Sequence, residues 1–405
     1  LETWGNRIPQ LSFEVIRAVD TLENKVHGVT MIPGGTEFGY ATTAVDRTSG
    51  PGETVSENRH VLHAATDFVA ALDELVALCP NLTRVALVVT WFGDDLRVEQ
   101  CRLRPSVEHT AKTTRPAVWS VAGVDRASAR LVSRYDDRPA YGGTPSDASV
   151  IEAITEIRSR GLEVMLYPFV AMDIPAGNGL PDPYGGAEQA AHPWRGRITC
   201  DPAPGLAGCP VGTALLDGQI HELVGEAAPT DFTLVEGEVV YAGPTEWTLR
   251  RMILHYAHLA EAAGGVDVFL LGSEFVGLTM LAGSGDRSPF VRALVDLAAD
   301  VRSVVGTSTR LSYGADWTEW NAVAAGDGSG DVFFRLDPLW ASPNIDFVGI
   351  DAYFPLADWR RGDHLDADLA DRPTDRAFLA AGVAGGEGFD WYYADDAGRR
   401  AQTRL

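Results

Sequence analysis

The chain has 405 residues, of which 45% are hydrophobic and 22% are charged, and it carries a net charge of −23. This length allows a large core and, as a first expectation, two or three domains. The excess of acidic residues argues against nucleic acid as a partner, because binding to phosphate backbones relies on patches of Lys and Arg. No apolar run approaches the roughly 20 residues that a membrane-spanning helix needs.

The cysteines do not indicate a metal site. Cys79, Cys101, Cys200 and Cys209 lack the clustered spacing that zinc ligands show. Only the last two share one short loop, "CDPAPGLAGC", and the sequence leaves a disulfide between them open. Ser-His-Asp order, HExxH, P-loop and CxxC patterns are also lacking, which argues against protease, zinc and nucleoside-triphosphate chemistry. The sequence therefore implies neither a metal nor an organic cofactor.

The first part of the chain differs from the rest. Within residues 1–60, the stretch "IPQLSFEVIRAV" alternates like a half-exposed strand, and a segment rich in Gly, Pro and Thr follows it. We predict that this part is the end of a preceding β domain plus a linker. Residues 61–405 are then expected to form the main domain.

In the main domain, apolar strands alternate with helices. The predicted strands cover 84–95, 116–123, 162–173, 266–274, 310–317 and 345–355. The predicted helices cover 147–161, 244–265 and 289–306. This alternation indicates a parallel sheet covered by helices, hence an α/β fold. A doubly wound sheet and a (β/α)8 barrel both fit it.

The ends of the strands favour the barrel. Acidic or aromatic residues follow nearly every predicted strand, and in a barrel these ends converge on one mouth. A Rossmann sheet would instead need a Gly-rich phosphate turn after its first strand, and "WFGDDL" is not one. We therefore predict a (β/α)8 TIM-barrel-like domain with a long insertion, residues 174–243, that leaves from the mouth and ends in a β-hairpin. Insertions of this length are usually functional or flexible.

Glu274 is the first candidate for catalysis, because it directly follows the apolar strand "VFLLGS". Desolvation at an aromatic barrel mouth raises the pKa of a carboxyl group, which suits a general acid in glycoside cleavage. The alternative is a salt bridge to an Arg, or a cap of the following turn. Glycoside cleavage needs a second carboxylate. Glu387, in "GGEGFDWYY", is a candidate for it, although a surface acid is the alternative.

Further residues at the strand ends are candidates for contacts with a sugar. Aromatic rings offer flat faces to sugars, whereas the acids could equally cap helices or turns. Asp351 in particular is interpreted as a network or substrate-contact residue. His255 and His258 are expected to be packing or surface residues. The substrate-binding set is Trp91, Asp94, Tyr167, Asp316, Trp317, Asp351 and Tyr353.

Segments along nearly the whole chain carry a family resemblance. They are "GNRIPQLSFEV", "VTWFGDDLR", "HPWRGRITCDPAPG", "RRMILHYAHL", "LGSEFVGLT", "GSGDVFFRLDPLW", "IDFVGIDAYFPLADWR" and "GGEGFDWYYADD". In these segments the chain resembles the TIM-barrel-like domain of the baseplate hub (megatron) protein of gene transfer agents. That family is also described as glycoside-hydrolase-like phage tail proteins.

The resemblance implies a component of the tail of a phage-like particle, assembled in the cytoplasm and acting at the target cell envelope. It implies peptidoglycan or a surface glycan as the target, other baseplate and tail proteins as partners, and a homotrimer. A glycosidase of this type has its acid/base Glu after strand four, which matches Glu274, although Ser273 replaces the usual Asn.

The nucleophile of such glycosidases follows strand seven. We expect this chain to stop after strand six, so that the nucleophile would lie beyond residue 405. The alternatives are a barrel without catalysis, which is structural or only binds glycans, and a secreted polysaccharide hydrolase unrelated to particles. The sequence leaves the exact glycan and its linkage open.

Overall fold

The structure is a computed structural model that describes residues 22–32, 36–285, 288–319, 322–324, 332–385, 393 and 396–403. Six parallel strands form one curled sheet, the half-barrel of an α/β, TIM-barrel-like fold, and this confirms the predicted fold class. In order across the sheet they are β1 (Gly28–Met31), β2 (Arg84–Gly93), β3 (Glu163–Met172), β4 (Val268–Ser273), β5 (Arg310–Asp316) and β6 (Gly349–Asp351).

Helices connect consecutive strands, as parallel pairing requires. Four of the longer helices begin at a Ser or Thr whose side chain accepts a backbone N–H of the first turn, which satisfies a donor that the helix itself leaves free. The helices are α1 (Asp67–Leu78), α2 (Asp147–Ser159), α3 (Ala214–Val224), α4 (Leu249–Ala262), α5 (Val276–Thr279), α6 (Pro289–Val305), α7 (Asp337–Trp340), α8 (Arg376–Gly385) and α9 (Asp396–Ala401). None of the described helices is both long and apolar enough to cross a membrane.

Short strands lie in the loops. Leu103–Arg104 pairs antiparallel with the end of β2, and Asp46–Gly50 pairs with Glu53–Ser56 and Thr114–Arg115. The insertion carries the predicted hairpin, Phe232–Val235 with Glu238–Tyr241. The other two-stranded pairs are Ser106–Val107 with Arg130–Leu131, Ser120–Val121 with Val124–Asp125, Arg134–Tyr135 with Arg138–Pro139, and Ala322–Ala324 with Val332–Phe334.

Two elements differ from the sequence prediction. β1 lies within residues 1–60, which we assigned to a preceding domain and linker, yet it pairs in parallel with β2. The predicted strand 116–123 is not part of the sheet. Ala122 and Gly123, with φ of 52° and 78°, instead turn the chain back into a tight hairpin. Because β1 replaces that strand in the count, Glu274 still follows the fourth strand.

The two faces of the sheet have different surroundings. Phe269 and Leu271 of β4 join the large apolar core between the sheet and the helices. Val268 and Leu270 point to the concave face, where they pack with Tyr167 of β3 in a small separate cluster. Since side chains alternate along a strand, only one residue in two can reach the concave face. The carboxyl ends of β3 to β6 on this face hold the candidate site.

Candidate active site

The backbone at the end of β4 aims Glu274 at the concave face. The pairing of β4 with β5 shifts between Leu270 and Ser273, which marks a β-bulge. Gly272 has φ of 116° and Glu274 has φ of 56°, so both adopt a conformation that L side chains rarely take. The Glu274 N–H donates to the Gly314 carbonyl of β5 at 2.9 Å. The bulge thus turns the chain at the point where the carboxyl group is presented.

Two side chains contact the carboxyl group of Glu274, a residue that is 8% exposed. The indole N–H of Trp194 donates to its Oε2 at 2.6 Å, and the Arg195 guanidinium lies 3.0 Å from the same oxygen. The Asp351 carboxyl group at the end of β6 lies near enough to raise the pKa of Glu274.

Opposing effects act on the pKa of Glu274. Burial raises it and is the largest effect, and Asp351 raises it further. Arg195 and the hydrogen bond from Trp194 lower it. The net result is a pKa above the usual value for Glu, despite the ion pair with Arg195. We therefore expect Glu274 to hold its proton at a pH where an ordinary Glu is ionised.

Arg195 is fixed by contacts other than Glu274. Its Nε donates to the Ser273 carbonyl at 2.8 Å, and a terminal nitrogen donates to the Ser273 hydroxyl at 2.6 Å. The guanidinium also stacks on the Phe169 ring, 3.8 Å from its centroid. Such stacking on an aromatic face stabilises a buried cation. The insertion thus places a fixed positive charge beside the two carboxyl groups.

Tyr167 of β3 completes the cluster. Its hydroxyl donates to Asp351 Oδ2 at 2.8 Å. Burial and the Asp351 charge raise the pKa of Tyr167 well above its usual value, so the phenol stays a neutral donor. Gly314 makes room for these groups, because a Cβ atom there would lie 3.2 Å from the Tyr167 hydroxyl and 3.3 Å from Asp351 Oδ2.

The segment that carries Trp194 and Arg195 packs on the turn after Glu274. A Cβ atom at Gly277 would lie 2.8 Å from the Gly196 carbonyl oxygen and still closer to that of Ile198, so only Gly fits this contact. A Cβ atom at Gly196 would in turn lie 2.5 Å from the Trp194 ring. Two glycines therefore permit the close approach of the insertion to the site.

Three of the residues predicted from sequence meet in this cluster: Glu274, Tyr167 and Asp351. They come from the ends of three different strands, so the curled sheet is what brings them together. Glu387, the predicted second carboxylate, lies outside the described residues.

Two of the predicted aromatic residues lie in the loops after β5 and β6. Trp317 packs edge-to-face on Phe354, with ring centroids 6.0 Å apart. Tyr353 is 71% exposed. Neither contacts the Glu274 carboxyl group directly, and both stay predictions as sugar contacts.

Trp91 does not reach the concave face. It is fully buried against α4, where its ring lies 5.9 Å from that of His255, so it cannot offer a face to a sugar. Together with Leu87 and Val89 it belongs to the core between the sheet and the helices. The reason is the alternation along β2, which sends every second side chain to the helix side.

The acids after β2 and β5 hold local structure. Asp94 accepts the Arg102 N–H at 2.8 Å, and burial raises its pKa. Asp316 accepts the Thr318 N–H at 2.9 Å and so closes the turn after β5. These contacts correspond to the capping alternative of the sequence analysis.

The two histidines of α4 have structural contacts. His255, almost fully buried, lies 3.0 Å from an Asp147 oxygen. His258 stacks on the ring of Phe232. Both side chains are therefore part of the packing around α4.

The two cysteines of the loop "CDPAPGLAGC" are not bonded to each other. Cys200 and Cys209 are free thiols whose sulfur atoms lie 3.9 Å apart. Burial raises the pKa of the Cys200 thiol to about 12, which keeps it protonated.

Sequence reasoning missed Trp194 and Arg195. Both stand in "HPWRGRITCDPAPG", a segment that carries part of the family resemblance and lies in the insertion that leaves from the mouth. The usable signal was the combination of a Trp and an Arg in a long loop on the side of a candidate carboxylate. No periodicity in a loop shows which of its residues return to the site, so the pattern alone could not select them.

Comparison with known proteins supports the barrel domain. Residues 247–405 match the family described as the GTA TIM-barrel-like domain, which confirms the resemblance over this part of the chain. This stretch includes Glu274 and Asp351. No curated protein matches the chain.

Solved structures that match the chain include two β-mannanases of family GH113. A complex of a GH113 β-1,4-mannanase is 16% identical, with a TM-score of 0.33, over 69% of this chain and 54% of that one. The β-mannanase AaManA from Alicyclobacillus acidocaldarius in complex with ManMIm is 13% identical, with a TM-score of 0.38, over 84% of this chain and 64% of that one. The match thus spans less than two thirds of either mannanase.

Proposed function

We propose that this chain is the barrel of a tail-hub protein of a phage-like particle, and that its concave site cleaves a glycosidic bond in peptidoglycan or another envelope glycan. The observation that carries the proposal is the pair of carboxyl groups at the ends of β4 and β6, Glu274 and Asp351, of which Glu274 has a raised pKa. Acid-assisted glycoside cleavage requires two carboxyl groups, one of which donates a proton.

In this proposal Glu274 protonates the leaving glycosidic oxygen. Its raised pKa keeps the carboxyl group protonated closer to neutral pH, which favours proton donation. Trp194 adds a flat surface beside it, because the residue is 41% exposed although its N–H binds Glu274. A sugar stacked on this ring would lie next to the proton donor.

Asp351 supplies the second carboxyl group in this proposal. The hydrogen bond from the Tyr167 hydroxyl, at 2.8 Å, orients it. In glycosidases the two carboxyl groups flank the scissile bond, so in this proposal the sugar lies between Asp351 and Glu274. Glu387 is the other carboxylate proposed for this role.

The location on a particle is proposed from the family resemblance. The family that matches residues 247–405 is named for gene transfer agents. For this chain we propose the partners that the resemblance implies, other baseplate and tail proteins in a homotrimeric hub. The proposed place of action is the envelope of the target cell.

A barrel that binds glycans without cleaving them is the second candidate. The contact that favours it is the ion pair between Arg195 and Glu274, at 3.0 Å, which stabilises the ionised form of the carboxyl group. An Arg–carboxylate pair beside an exposed Trp also suits recognition of a sugar by hydrogen bonds and stacking.

The test is release of soluble fragments and new reducing ends from purified peptidoglycan. Glu274→Gln keeps the shape of the side chain but removes the acid, and general acid catalysis typically contributes about 10²–10⁴-fold to the rate. Glu261→Gln, at an exposed position of α4, is the matched control. We expect activity in the wild type and in Glu261→Gln, and a loss of at least about 100-fold in Glu274→Gln.

Equal release by the wild type and Glu274→Gln would rule out the role of Glu274. Binding of peptidoglycan without release by either protein would support the binding barrel instead. Asp351→Asn and Glu387→Gln, compared in the same assay, identify which residue supplies the second carboxylate.

A further inference from the structure

Another carboxyl group lies completely buried behind the site. Glu319, in the turn that follows β5, is 0% exposed and has no access to a substrate. Its side chain accepts three hydrogen bonds: from the Thr279 hydroxyl at 2.7 Å, the Tyr313 hydroxyl at 2.8 Å and the Asp316 N–H at 2.9 Å. A buried carboxyl group is destabilising unless its oxygens are bonded in this way.

One of these hydrogen bonds leads to the backbone at Glu274. The Tyr313 hydroxyl, which donates to Glu319, itself accepts the N–H of Phe275 at 2.7 Å. Phe275 is the residue directly after Glu274. The hydroxyl thus uses both its donor and its acceptor capacity in one continuous chain from the backbone to the buried carboxyl group.

Glu319 also accepts a hydrogen bond from the far end of the same turn. Thr279, which donates it, is the last residue of α5, the short helix that begins two residues after Glu274. This hydrogen bond does not involve the Phe275 N–H, which is linked to Glu319 only through the Tyr313 hydroxyl. The Asp316 N–H ties the same carboxyl group to the end of β5.

The backbone at this turn needs such support. Glu274 has φ of 56°, and a residue other than Gly persists in this region only when its surroundings hold it there. We propose that Glu319, acting through Tyr313, is a positioning residue that fixes the backbone on which Glu274 presents its carboxyl group. The proposal deepens the function proposed for this site, but it can be measured without any cleavage of glycan.

Burial raises the pKa of Glu319 to about 7, and the hydrogen bonds that its oxygens accept are what link it to the turn. The charged and titratable groups that face Glu274 come from other elements: Arg195 from the insertion, Asp351 from β6 and, through Asp351, Tyr167 from β3. None of these contacts is part of the hydrogen-bond chain to Glu319.

The experiment uses the indole N–H of Trp194 as a reporter, because it binds the Glu274 carboxyl group directly. Its resonance in a ¹H–¹⁵N spectrum, assigned with Trp194→Phe, is followed over pH and gives the midpoint for Glu274. Tyr313→Phe removes only the hydroxyl that accepts the Phe275 N–H. Thr279→Val, the matched control, removes one hydrogen bond to Glu319 and leaves the contact of the Phe275 N–H intact.

We expect the wild type and Thr279→Val to titrate at the same raised pH. In Tyr313→Phe the midpoint should fall toward the ordinary Glu value of 4.5, because the carboxyl group leaves the buried position that raises its pKa. Glu319→Gln, which replaces an acceptor oxygen by a donor amide, should shift the midpoint in the same direction. If Tyr313→Phe does not fold, Glu319→Gln is used to test the proposal.

An unchanged midpoint in folded Tyr313→Phe or folded Glu319→Gln would overturn the inference. An equal shift in Thr279→Val would also overturn it, because the effect would then be one of general packing. Failure of the proposed function is seen separately, as a wild-type protein that titrates as expected but releases nothing from peptidoglycan.

Discussion

Two groups of carboxylates in this molecule lie beside basic residues, and they differ in how fully their charge is neutralised. In the first, which we call the lysine cluster, the Lys112 ammonium group lies 2.7 Å from Glu37, 2.7 Å from Glu57 and 2.9 Å from Glu108. Arg126 adds two further hydrogen bonds to Glu37, at 3.0 and 2.7 Å. Burial alone would raise the pKa of Glu37, but these two cations hold it below its usual value.

At the end of β4 the effect of burial on the pKa is larger than that of the nearby cation, the reverse of the lysine cluster. Arg195 contacts Glu274 there, but burial and the neighbouring Asp351 outweigh it, and the pKa of Glu274 is raised. A nearby Arg is therefore not enough to classify a carboxylate as structural. In the lysine cluster the ammonium group binds all three carboxylates, whose spacing would otherwise suit a metal ion. For the β4 site we propose that Glu274, whose pKa is raised, acts as the proton donor.

The largest expected effect comes from removing the central cation of the lysine cluster. Lys112→Met would remove the cation that Glu37, Glu57 and Glu108 share, while Arg126 still binds Glu37, so we expect a loss of about 3 kcal/mol of stability, the lower end for breaking a buried ion pair. The control is Lys25→Met, at an exposed position, for which we expect a change within about 0.5 kcal/mol. Denaturant unfolding measures both. A loss below about 1 kcal/mol in Lys112→Met would show that the cluster behaves like an ordinary surface ion pair.

A smaller effect is expected where the insertion packs on the β4 site. Gly277→Ala places a Cβ atom against the carbonyl oxygens of Gly196 and Ile198, and forcing extra atoms into a packed contact costs about 1–3 kcal/mol. The displaced segment should also break the Trp194–Glu274 hydrogen bond, which the indole resonance reports. Gly285→Ala, where a Cβ atom would meet nothing within 4 Å, is the control. An unshifted indole resonance in Gly277→Ala would show that the glycine contact does not position Trp194.

The third expected effect is a slope in the pH dependence of stability, small over any single pH unit. The pKa of Glu319 rises from an ordinary 4.5 to about 7 on folding, so the folded protein binds a proton that the unfolded chain has lost. The contribution is therefore full below about pH 4.5 and is lost as the pH rises through about 7. Between these values we expect the free energy of unfolding to fall by up to about 1.4 kcal/mol per pH unit.

Glu319→Gln should remove this part of the slope, because an amide does not titrate. The difference between wild type and variant contains the slope of Glu319 and the part of the Glu274 slope that the variant removes, and both have the same sign because both pKa values are raised. If the stability curves of the two proteins run parallel between pH 4.5 and about 7, Glu319 does not bind its proton more tightly in the folded state.

The sequence predicted those features that follow from periodicity. Alternating apolar strands and helices indicated the α/β barrel, and the position after the fourth strand selected Glu274. The prediction from periodicity failed for β1, because "GVTM" is too short and too polar to be recognised as a strand of the sheet. It also failed for Trp91, since a strand that is apolar on both faces does not show which of its side chains face the concave side.

The partners of Glu274 could not be read from the pattern. Trp194 and Arg195 come from a loop, and their contacts depend on close approaches at Gly196 and Gly277 that no spacing rule describes. Glu319 is distant from Glu274 in the chain, and only the folded structure shows that the two are connected through a tyrosine hydroxyl. Such contacts arise from tertiary packing and not from local preference.

The most direct test of the central claim is the titration of Glu274 itself. Its side-chain carboxyl carbon, labelled with ¹³C and assigned with Glu274→Gln, gives the midpoint without any reporter group. We predict a midpoint above the ordinary Glu value of 4.5, because burial and Asp351 outweigh Arg195. A midpoint at or below that value would contradict the proposal, since Glu274 would then resemble the ion-paired Glu37 of the lysine cluster.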